Sequence, residues 1–237
     1  STEKSYFVPD SDDHVLIGID LSNADARVVA ALSGDKKYAE RFEKDADGHL
    51  INAWAVWGKE VVGTHKKGNQ YRDMAKPMGH GWSYGGRANT LSQQAGVAVA
   101  VAKKFVDGMD STFHVVVKWQ NRVRKFASQH GYVTNLWGRK MQVEKGREFT
   151  QAPALLGQNG TREIMCDALL AFSHSAVRSI KAQVHDEFIF SVPRANWEEC
   201  RDYLLKNIET VMDPKGGQRI EFPASCSPPG ENWMEAR

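Results

Sequence analysis

Strand-like segments lie near both ends of this sequence and helical patterns fill its middle, an order that few architectures accommodate. Residues 15–19 form a short β-branched apolar run that ends at Asp20. Residues 182–184 and 188–192 form two more runs, and His185-Asp186-Glu187 between them predicts a tight hairpin with acids at its tip. The helical spacing in between predicts an α+β domain whose sheet receives a helical insertion at about residues 33–130.

Two features of the middle predict where helices begin. The Asp-Ser-Thr sequence at residues 110–112 resembles an N-cap, which predicts a long amphipathic helix from there to about His130. Residues 72–85 also have helical spacing, but they contain Pro77, and a proline in a helix interior costs about 3 kcal/mol. The sequence therefore predicts a helix over residues 72–85 in which Pro77 is tolerable only near the start. The helix would be shorter, or ordered only when a substrate binds, unless packing outweighs this cost.

The composition excludes several classes of protein. With 41% apolar and 25% charged residues, the 237-residue chain has the balance of one large or two small globular domains. No stretch approaches the roughly 18 consecutive apolar residues of a membrane span, and residues 1–4 lack the apolar core of a secretion signal. The three cysteines stand far apart without a Cys-x-x-Cys pair, which favours a reducing compartment. We expect no membrane partner.

The net charge of +2 hides an uneven distribution. Residues 1–50 carry 6 Lys or Arg against 11 Asp or Glu, whereas residues 118–147 carry 8 Lys or Arg against a single Glu. We call residues 118–147 the basic block. A block of this kind suits a polyanionic ligand, and it equally suits a solvated helix face.

Asp20 and Asp186 are the main candidates for chemistry. Carboxylates at the ends of buried strands are costly unless they are paired, hydrogen-bonded or bound to metal. If the two strands are neighbours, the carboxylates converge and offer the oxygen ligands that Mg²⁺ prefers. Two such ions can stabilise the attacking and leaving oxygens of a phosphoryl transfer. The alternative for two isolated acids is a strand-end cap or an ion pair.

Five segments, in order along nearly the whole chain, resemble motifs of family A DNA polymerases, the bacterial DNA polymerase I group, in a version typical of phages. Residues 19–27 resemble motif A, and residues 183–187, Gln-Val-His-Asp-Glu, are identical to motif C. Arg72, Lys76 and Tyr84 keep the spacing of motif B. Residues 131–139 and 230–233 resemble two further segments of the family.

The resemblance implies the fold of a right-hand polymerase. An antiparallel palm sheet would comprise residues 1–32 and 131–237, and helical fingers would comprise residues 33–130. Because motif A begins near the start of this sequence, we expect the thumb and the exonuclease domain to be absent from it. The chain would then be one part of a split polymerase, a shortened polymerase, or a minimal enzyme.

The resemblance also implies an activity. The primer 3′-hydroxyl would attack the α-phosphate of a deoxynucleotide, with two Mg²⁺ ions bound and Mn²⁺ able to replace them. The implied partners are primer-template DNA, dNTPs and a separate polypeptide that carries the thumb, with or without an exonuclease, in a bacterial or phage-infected cytoplasm. The residues that match the functional positions of the family are, for catalysis, Asp20, Asp186 and Glu187; for metal, Asp20, the carbonyl of Leu21 and Asp186; for the nucleotide, Asp25, His49, Arg72, Lys76, His80 and Tyr84; for DNA, Arg27, Arg139, Asn159, Gln183, His185 and the basic block.

Two positions depart from the family pattern. Asp25 stands where the family has a glutamate that excludes the ribose 2′-hydroxyl and bonds the motif B tyrosine, the position of Tyr84 here. The shorter side chain predicts weaker exclusion of ribonucleotides. His80 stands where the family has Phe or Tyr, which predicts unusual discrimination against 3′-deoxy sugars with some dependence on pH.

Two other functions remain open at this stage. Residues 17–22 also resemble the first strand of ribonuclease H-like metal nucleases, although those enzymes lack motif B and the Gln-Val-His-Asp-Glu hairpin. A polymerase-derived subunit that binds DNA without catalysis is the other alternative. Primer extension distinguishes both from a polymerase.

Overall fold

The computed structural model describes residues 2–236. In that range the strands are β1 His14–Leu21, β2 Tyr132–Thr134, β3 Lys140–Gln142, β4 Ile180–Val184, β5 Glu187–Pro193, β6 Thr210–Met212, β7 Ile220–Phe222 and β8 Ala224–Cys226. The α-helices are α1 Ala24–Ser33, α2 Lys36–Ala39, α3 Gly48–Trp57, α4 Lys59–Val62, α5 Gln70–Ser83, α6 Ala88–Ala95, α7 Val99–Thr112, α8 His114–His130, α9 Glu148–Ala171, α10 His174–Arg178 and α11 Trp197–Ile208. Short 3-10 helices span Thr2–Tyr6, Glu40–Phe42 and Arg194–Asn196. The prediction of a mixed α+β chain with antiparallel strands is confirmed.

The chain divides into two compact units. Unit 1 comprises Ser1–Ala24, Thr161–Val211 and Glu221–Arg237. Unit 2 comprises Asp25–Gly160 and Met212–Ile220. Within the described residues, no helix has the length and apolar character that crossing a membrane requires.

Unit 1 is built on a four-stranded antiparallel sheet of order β4-β5-β1-β8. The register of β1 on β5 places Ile17 opposite Phe190 and Asp20 opposite Glu187. Because side chains alternate along a strand, Ile17 and Ile19 lie on one face together with Phe188 and Phe190, and all four are fully buried. Asp20 and Glu187 lie at the end of the opposite face.

The predicted hairpin is confirmed as the β4–β5 pair. Val184 pairs with Glu187, so His185 and Asp186 alone form the turn. His185 adopts the left-handed conformation with φ 54°, which two-residue hairpin loops require. Glu187 therefore already belongs to β5, and Asp186 is held in the turn itself.

Unit 2 packs its helices around aromatic side chains. Tyr38, Trp82 and Phe113 are fully buried, with ring centroids 5.2–6.0 Å apart. On α5, Gly79 faces α3 so closely that a Cβ there would lie 2.3 Å from the side-chain nitrogen of Asn52. This close packing fixes α3 against α5.

The helix predicted over residues 72–85 is confirmed as α5, and the alternative of a shorter helix that starts near Pro77 is wrong, because α5 runs unbroken from Gln70 to Ser83. Asn69 caps it, since its side-chain oxygen accepts hydrogen bonds from the amides of Tyr71 and Arg72. Burial of Met78 and Trp82 stabilises the helix beyond Pro77. Packing therefore outweighs the cost of the proline.

The prediction that Asp110 caps a helix is also wrong. Residues 110–112 are the last turn of α7, and α8 begins at His114 after Phe113. Asp110 accepts hydrogen bonds from the Trp82 indole and from Arg87, at 2.8–3.0 Å. Tertiary contacts within unit 2, which local composition does not show, determine its role.

Candidate active site

In unit 1, backbone pairing holds the acidic residues together. Asp20 lies directly across the β1–β5 ladder from Glu187. The amide of Leu21 donates a 3.0 Å hydrogen bond to the carbonyl of Asp186. The two strands are neighbours, which was the condition for the acids to converge, and they bring Asp20, Asp186 and Glu187 to one end of the sheet.

Gly18 gives Glu187 the space that it occupies. A Cβ at residue 18 would lie 2.6 Å from Oε1 of Glu187 and 3.2 Å from the hydroxyl of Ser227. That hydroxyl accepts a 2.7 Å hydrogen bond from the Gly18 amide. The Glu187 carboxylate thus lies over the β1 backbone two residues before Asp20, a placement that only glycine allows at residue 18.

Burial and then the charges of Asp186 and Glu187 raise the pKa of Asp20 from 3.8 to about 6. Crowded carboxylates of this kind fit a divalent cation, because its charge would offset their repulsion and their oxygens are the ligands that Mg²⁺ prefers. Between residues 2 and 236, no group of three or more His, Cys, Asp or Glu side chains is arranged to hold a metal ion. Asp20 and Asp186 would therefore need oxygens from backbone, water or substrate to complete a metal site.

The two remaining candidates of unit 1 lie on the same hairpin. Gln183 is exposed on β4, opposite Phe188. His185 is exposed in the turn, next to Asp186.

In unit 2, Asp47 connects the N-terminus of α3 to α5. Its Oδ1 accepts hydrogen bonds from the amides of His49 and Leu50, at 3.1 and 3.0 Å. Its Oδ2 accepts a 3.0 Å hydrogen bond from Nε of Arg72. Although burial acts to raise it, the hydrogen bonds from Leu50 and Arg72 lower the pKa of Asp47. Asp47 thereby holds His49 and Arg72 near each other.

His49 is a neutral imidazole at physiological pH. Burial, and then the charge of Arg41, lowers its pKa from 6.5 to about 4. Its Nδ1 is buried and has no hydrogen-bond partner within the part of the chain that the structure describes. Arg41 itself is only 8% exposed, packs over the Tyr38 ring at 4.4 Å, and donates from Nε to the carbonyl of Gly48.

Arg72, Lys76, His80 and Tyr84 follow one another at intervals of four residues along α5 and its C-cap. Lys76 and His80 are exposed, whereas Arg72 and Tyr84 are half-buried. The His80 ring meets the Tyr84 ring edge to face, with centroids 4.7 Å apart. This stripe combines two cations with two aromatic rings on one side of the helix.

Tyr84 and Asp25 are two further site residues that the structure brings together. The Tyr84 hydroxyl donates to Oδ2 of Asp25. Burial, and then the Asp25 charge, raises the pKa of Tyr84, so the hydroxyl stays protonated. The side chain of Gln158 also hydrogen-bonds Tyr84. The shorter aspartate therefore still reaches the tyrosine.

The candidate DNA-binding residues of unit 2 differ in exposure. Arg27 is only 8% exposed and stacks on the Phe42 ring at 4.8 Å. Arg139 is exposed, and Asn159 accepts a 2.6 Å hydrogen bond from the side chain of Asn135. Seven of the eight cations in the basic block are exposed, and Arg124 is buried.

Sequence reasoning missed several residues of these clusters. Gly18, Arg41 and Gln158 act through close approach, burial or a hydrogen bond to a distant residue. The alternation of β1, which places Gly18 on the face of Asp20, could have drawn attention to the glycine. Nothing local to Arg41 or Gln158 indicated a role.

Residues 2–235 match DNA polymerase family A. The chain is 31% identical over 214 residues to the DNA polymerase of Mycobacterium phage D29, which covers 87% of this chain and 34% of that protein. It is 27% identical to the DNA polymerase of Mycobacterium phage L5, with 84% and 32% covered. It is 29% identical to DNA polymerase I of Chloroflexus aurantiacus, with 92% and 24% covered. The chain thus spans between about a quarter and about a third of the length of these relatives.

The fold is similar to that of the POL domain of Pol1 from M. smegmatis, solved in complex with DNA primer-template and dNTP. The TM-score is 0.79 at 23% identity, and the match covers 98% of this chain and 42% of that one.

Proposed function

Because this chain belongs to DNA polymerase family A, we propose that it carries the nucleotidyl-transfer step of template-directed DNA synthesis. The observation that carries the proposal is Asp20, a half-buried carboxylate held across the ladder from Glu187 with its pKa raised to about 6. A structural ion pair would have placed a cation beside Asp20. Here its charged neighbours are Asp186 and Glu187 instead, as a site for divalent cations requires.

The proposed reaction joins a primer to a deoxynucleotide. The 3′-hydroxyl of the primer gives up its proton to water, its oxygen forms a bond to the α-phosphorus, the bond to the bridging oxygen breaks, and pyrophosphate leaves. Asp20, Asp186 and the carbonyl of Leu21 would hold two Mg²⁺ ions, or Mn²⁺ in their place. When bound, these ions supply the positive charge that stabilises the attacking and leaving oxygens. Glu187 assists from β5, and His185 contacts the primer terminus.

The side chains of α3 and α5 bind the triphosphate in this proposal. Arg72 supplies a planar fork and Lys76 a point charge, both suited to phosphate oxygens. His49, being neutral, donates a hydrogen bond without adding charge. His80 and Tyr84 contact the sugar and base, and the bond from Tyr84 to Asp25 restricts the space for a 2′-hydroxyl.

The remaining assignments belong to the same proposal. Residues 1–32 and 131–237 form the palm and residues 33–130 the fingers. DNA phosphates contact Arg27, Arg139, Asn159, Gln183 and the exposed cations of the basic block, with an affinity that falls as salt rises. A thumb-bearing polypeptide, with or without an exonuclease, completes the grip on primer-template DNA in a bacterial or phage-infected cytoplasm.

Primer extension tests the function. The chain is incubated with a labelled primer-template, dNTPs and Mg²⁺ at low salt and excess DNA, so that weak DNA binding does not limit the reaction. We expect template-dependent extension that falls at least a hundredfold in Asp20→Asn and Asp186→Asn. The matched control is Asp12→Asn, which alters an exposed carboxylate before β1 and leaves extension unchanged.

Two outcomes contradict the proposal. DNA binding without extension at saturating DNA favours the non-catalytic subunit. Cleavage of the template strand favours a ribonuclease H-like nuclease.

A further inference from the structure

The C-terminal end of α5 is capped by a side chain from another helix. The last carbonyls of an α-helix lack partners within the helix. Nε2 of Gln120, on α8, donates to the carbonyls of Trp82 and Ser83 at 3.3 and 3.2 Å. Gln120 is fully buried, so these bonds do not compete with solvent. They fix the backbone just before Tyr84.

Arg124 lies one turn later on α8 and fixes Gln120 in turn. Its Nη2 donates to Oε1 of Gln120 at 3.2 Å, and its Nε donates to the carbonyl of Phe149 at 2.7 Å. The guanidinium also stacks on the Phe149 ring at 3.8 Å. Burial lowers the pKa of Arg124 to about 10. Burying a cation is costly unless it is hydrogen-bonded, and Arg124 uses two of its donors for Gln120 and Phe149, the groups that lie around Tyr84 and Gly85.

The residue that follows Tyr84 packs against the same arginine. Gly85 has φ 83°, and a Cβ there would lie 2.6 Å from Nη2 of Arg124 and 3.0 Å from the carbonyl of Phe149. The Gly85 amide donates at 2.8 Å to the Trp82 carbonyl that Gln120 also contacts. Gln120 therefore holds the backbone before Tyr84, and Arg124 packs against the residue after it.

We infer that Gln120 and Arg124 are positioning residues that hold Tyr84 against Asp25 and so set the sugar selectivity of the nucleotide site. The inference rests on the proposed function. Tyr84 is the C-cap of α5, so its backbone lies where the helical hydrogen bonds end and the capping bonds take over. Its side chain also contacts His80 and Gln158, and neither contact holds the backbone on both sides of it. If the capping bonds are lost, the Tyr84 hydroxyl can move away from Asp25 and the space beside the 2′-carbon opens.

The test compares Gln120→Met, Arg124→Met and Arg124→Lys with the unmodified chain. Gln129→Met, an exposed substitution on the same helix, is the matched control. The first readout is the ratio of kcat/KM for a dNTP to that for the matching rNTP in primer extension. The second is hydrogen exchange of the Gly85 and Gly86 amides, which needs no activity.

We expect Gln120→Met and Arg124→Met to lower the dNTP/rNTP ratio at least fivefold and to speed exchange of the two amides. Arg124→Lys should recover part of both, because it keeps the charge but loses the fork. A similar loss of activity on both nucleotides, with the ratio unchanged, would overturn the inference and leave a merely structural role. If the unmodified chain extends no primer, the proposed function fails and the selectivity claim fails with it. An active chain whose variants keep the ratio overturns the inference alone.

Discussion

The amide of Leu21 donates a 3.0 Å hydrogen bond to the carbonyl of Asp186, so the main chain ties the end of β1 to the hairpin turn. The positions of the two acids are therefore set by backbone pairing and do not depend on a bound cation. The carboxylates are held near each other at the expense of mutual repulsion. This arrangement predicts that the Asp20 carboxylate, which activity requires, lowers the stability of the folded chain.

Asp20→Asn is expected to abolish extension and yet raise the free energy of unfolding without metal by about 1 kcal/mol, after discounting for the half-exposed position. The pKa of Asp20 is about 6 in the folded chain against 3.8 ordinarily, so the folded state binds more protons between these values. The ionised Asp20 carboxylate therefore destabilises the folded chain fully above pH 6 and not at all below about pH 4. Thermal melts across this range should show the gain in Tm only at the higher pH. A variant less stable than the unmodified chain at pH 7 would contradict this account, with Asp12→Asn as the control.

Gly18→Ala should reduce extension by about tenfold, because the new Cβ would lie 2.6 Å from Oε1 of Glu187 and displace that carboxylate. In a Glu187→Ala background the Cβ of Ala at residue 18 no longer meets a carboxylate. Gly18→Ala should then cause little further loss of extension. A double-mutant cycle on kcat measures this coupling. Independent, multiplicative effects of the two substitutions would show that the contact does not matter.

Asp25→Glu is expected to increase the preference for dNTPs over rNTPs several-fold. The longer side chain, bonded to Tyr84, would extend further into the space for a 2′-hydroxyl. Asp25→Ala should have the opposite effect. The measurement is the ratio of kcat/KM for the two nucleotides, and a ratio already as high as that of ordinary family members in the unmodified chain would refute the idea of a looser gate.

His80→Phe should change discrimination against dideoxynucleotides by several-fold and remove its variation with pH. The imidazole adds a titratable donor and acceptor next to the Tyr84 ring, and phenylalanine keeps only the ring. Competition between dNTP and ddNTP at several pH values gives the answer. Unchanged selectivity in the variant would exclude a role for the imidazole.

Local sequence predicted the elements whose determinants are themselves local. The β-branched run before Asp20 and the turn at residues 185–186 specify strands and a hairpin regardless of what packs on them. The predictions at Asp110 and Pro77 failed because distant contacts outweigh local preference. Asp110 accepts hydrogen bonds from Trp82 and Arg87, which are more than 20 residues away along the chain.

The same contrast holds for the site. The family motifs identified Asp25 and Tyr84 and implied a bond between the two positions, and the structure has that bond with the shorter aspartate. Gln120 and Arg124 belong to no motif, and their importance depends on which carbonyls α8 happens to face. Spacing along one helix cannot show what its buried side contacts in another.

The discontinuous course of the chain through its two units affects how it could be recombined with relatives. Every strand of the four-stranded sheet lies outside Asp25–Gly160, whereas Asp25, Tyr84, Gln120 and Arg124 all lie inside it. A single cassette exchanged between these two positions would transfer the four side chains that we propose select the sugar and leave the pairing of the acidic strands intact. The second joint falls within α9, so donor and recipient would need the same helical phase there.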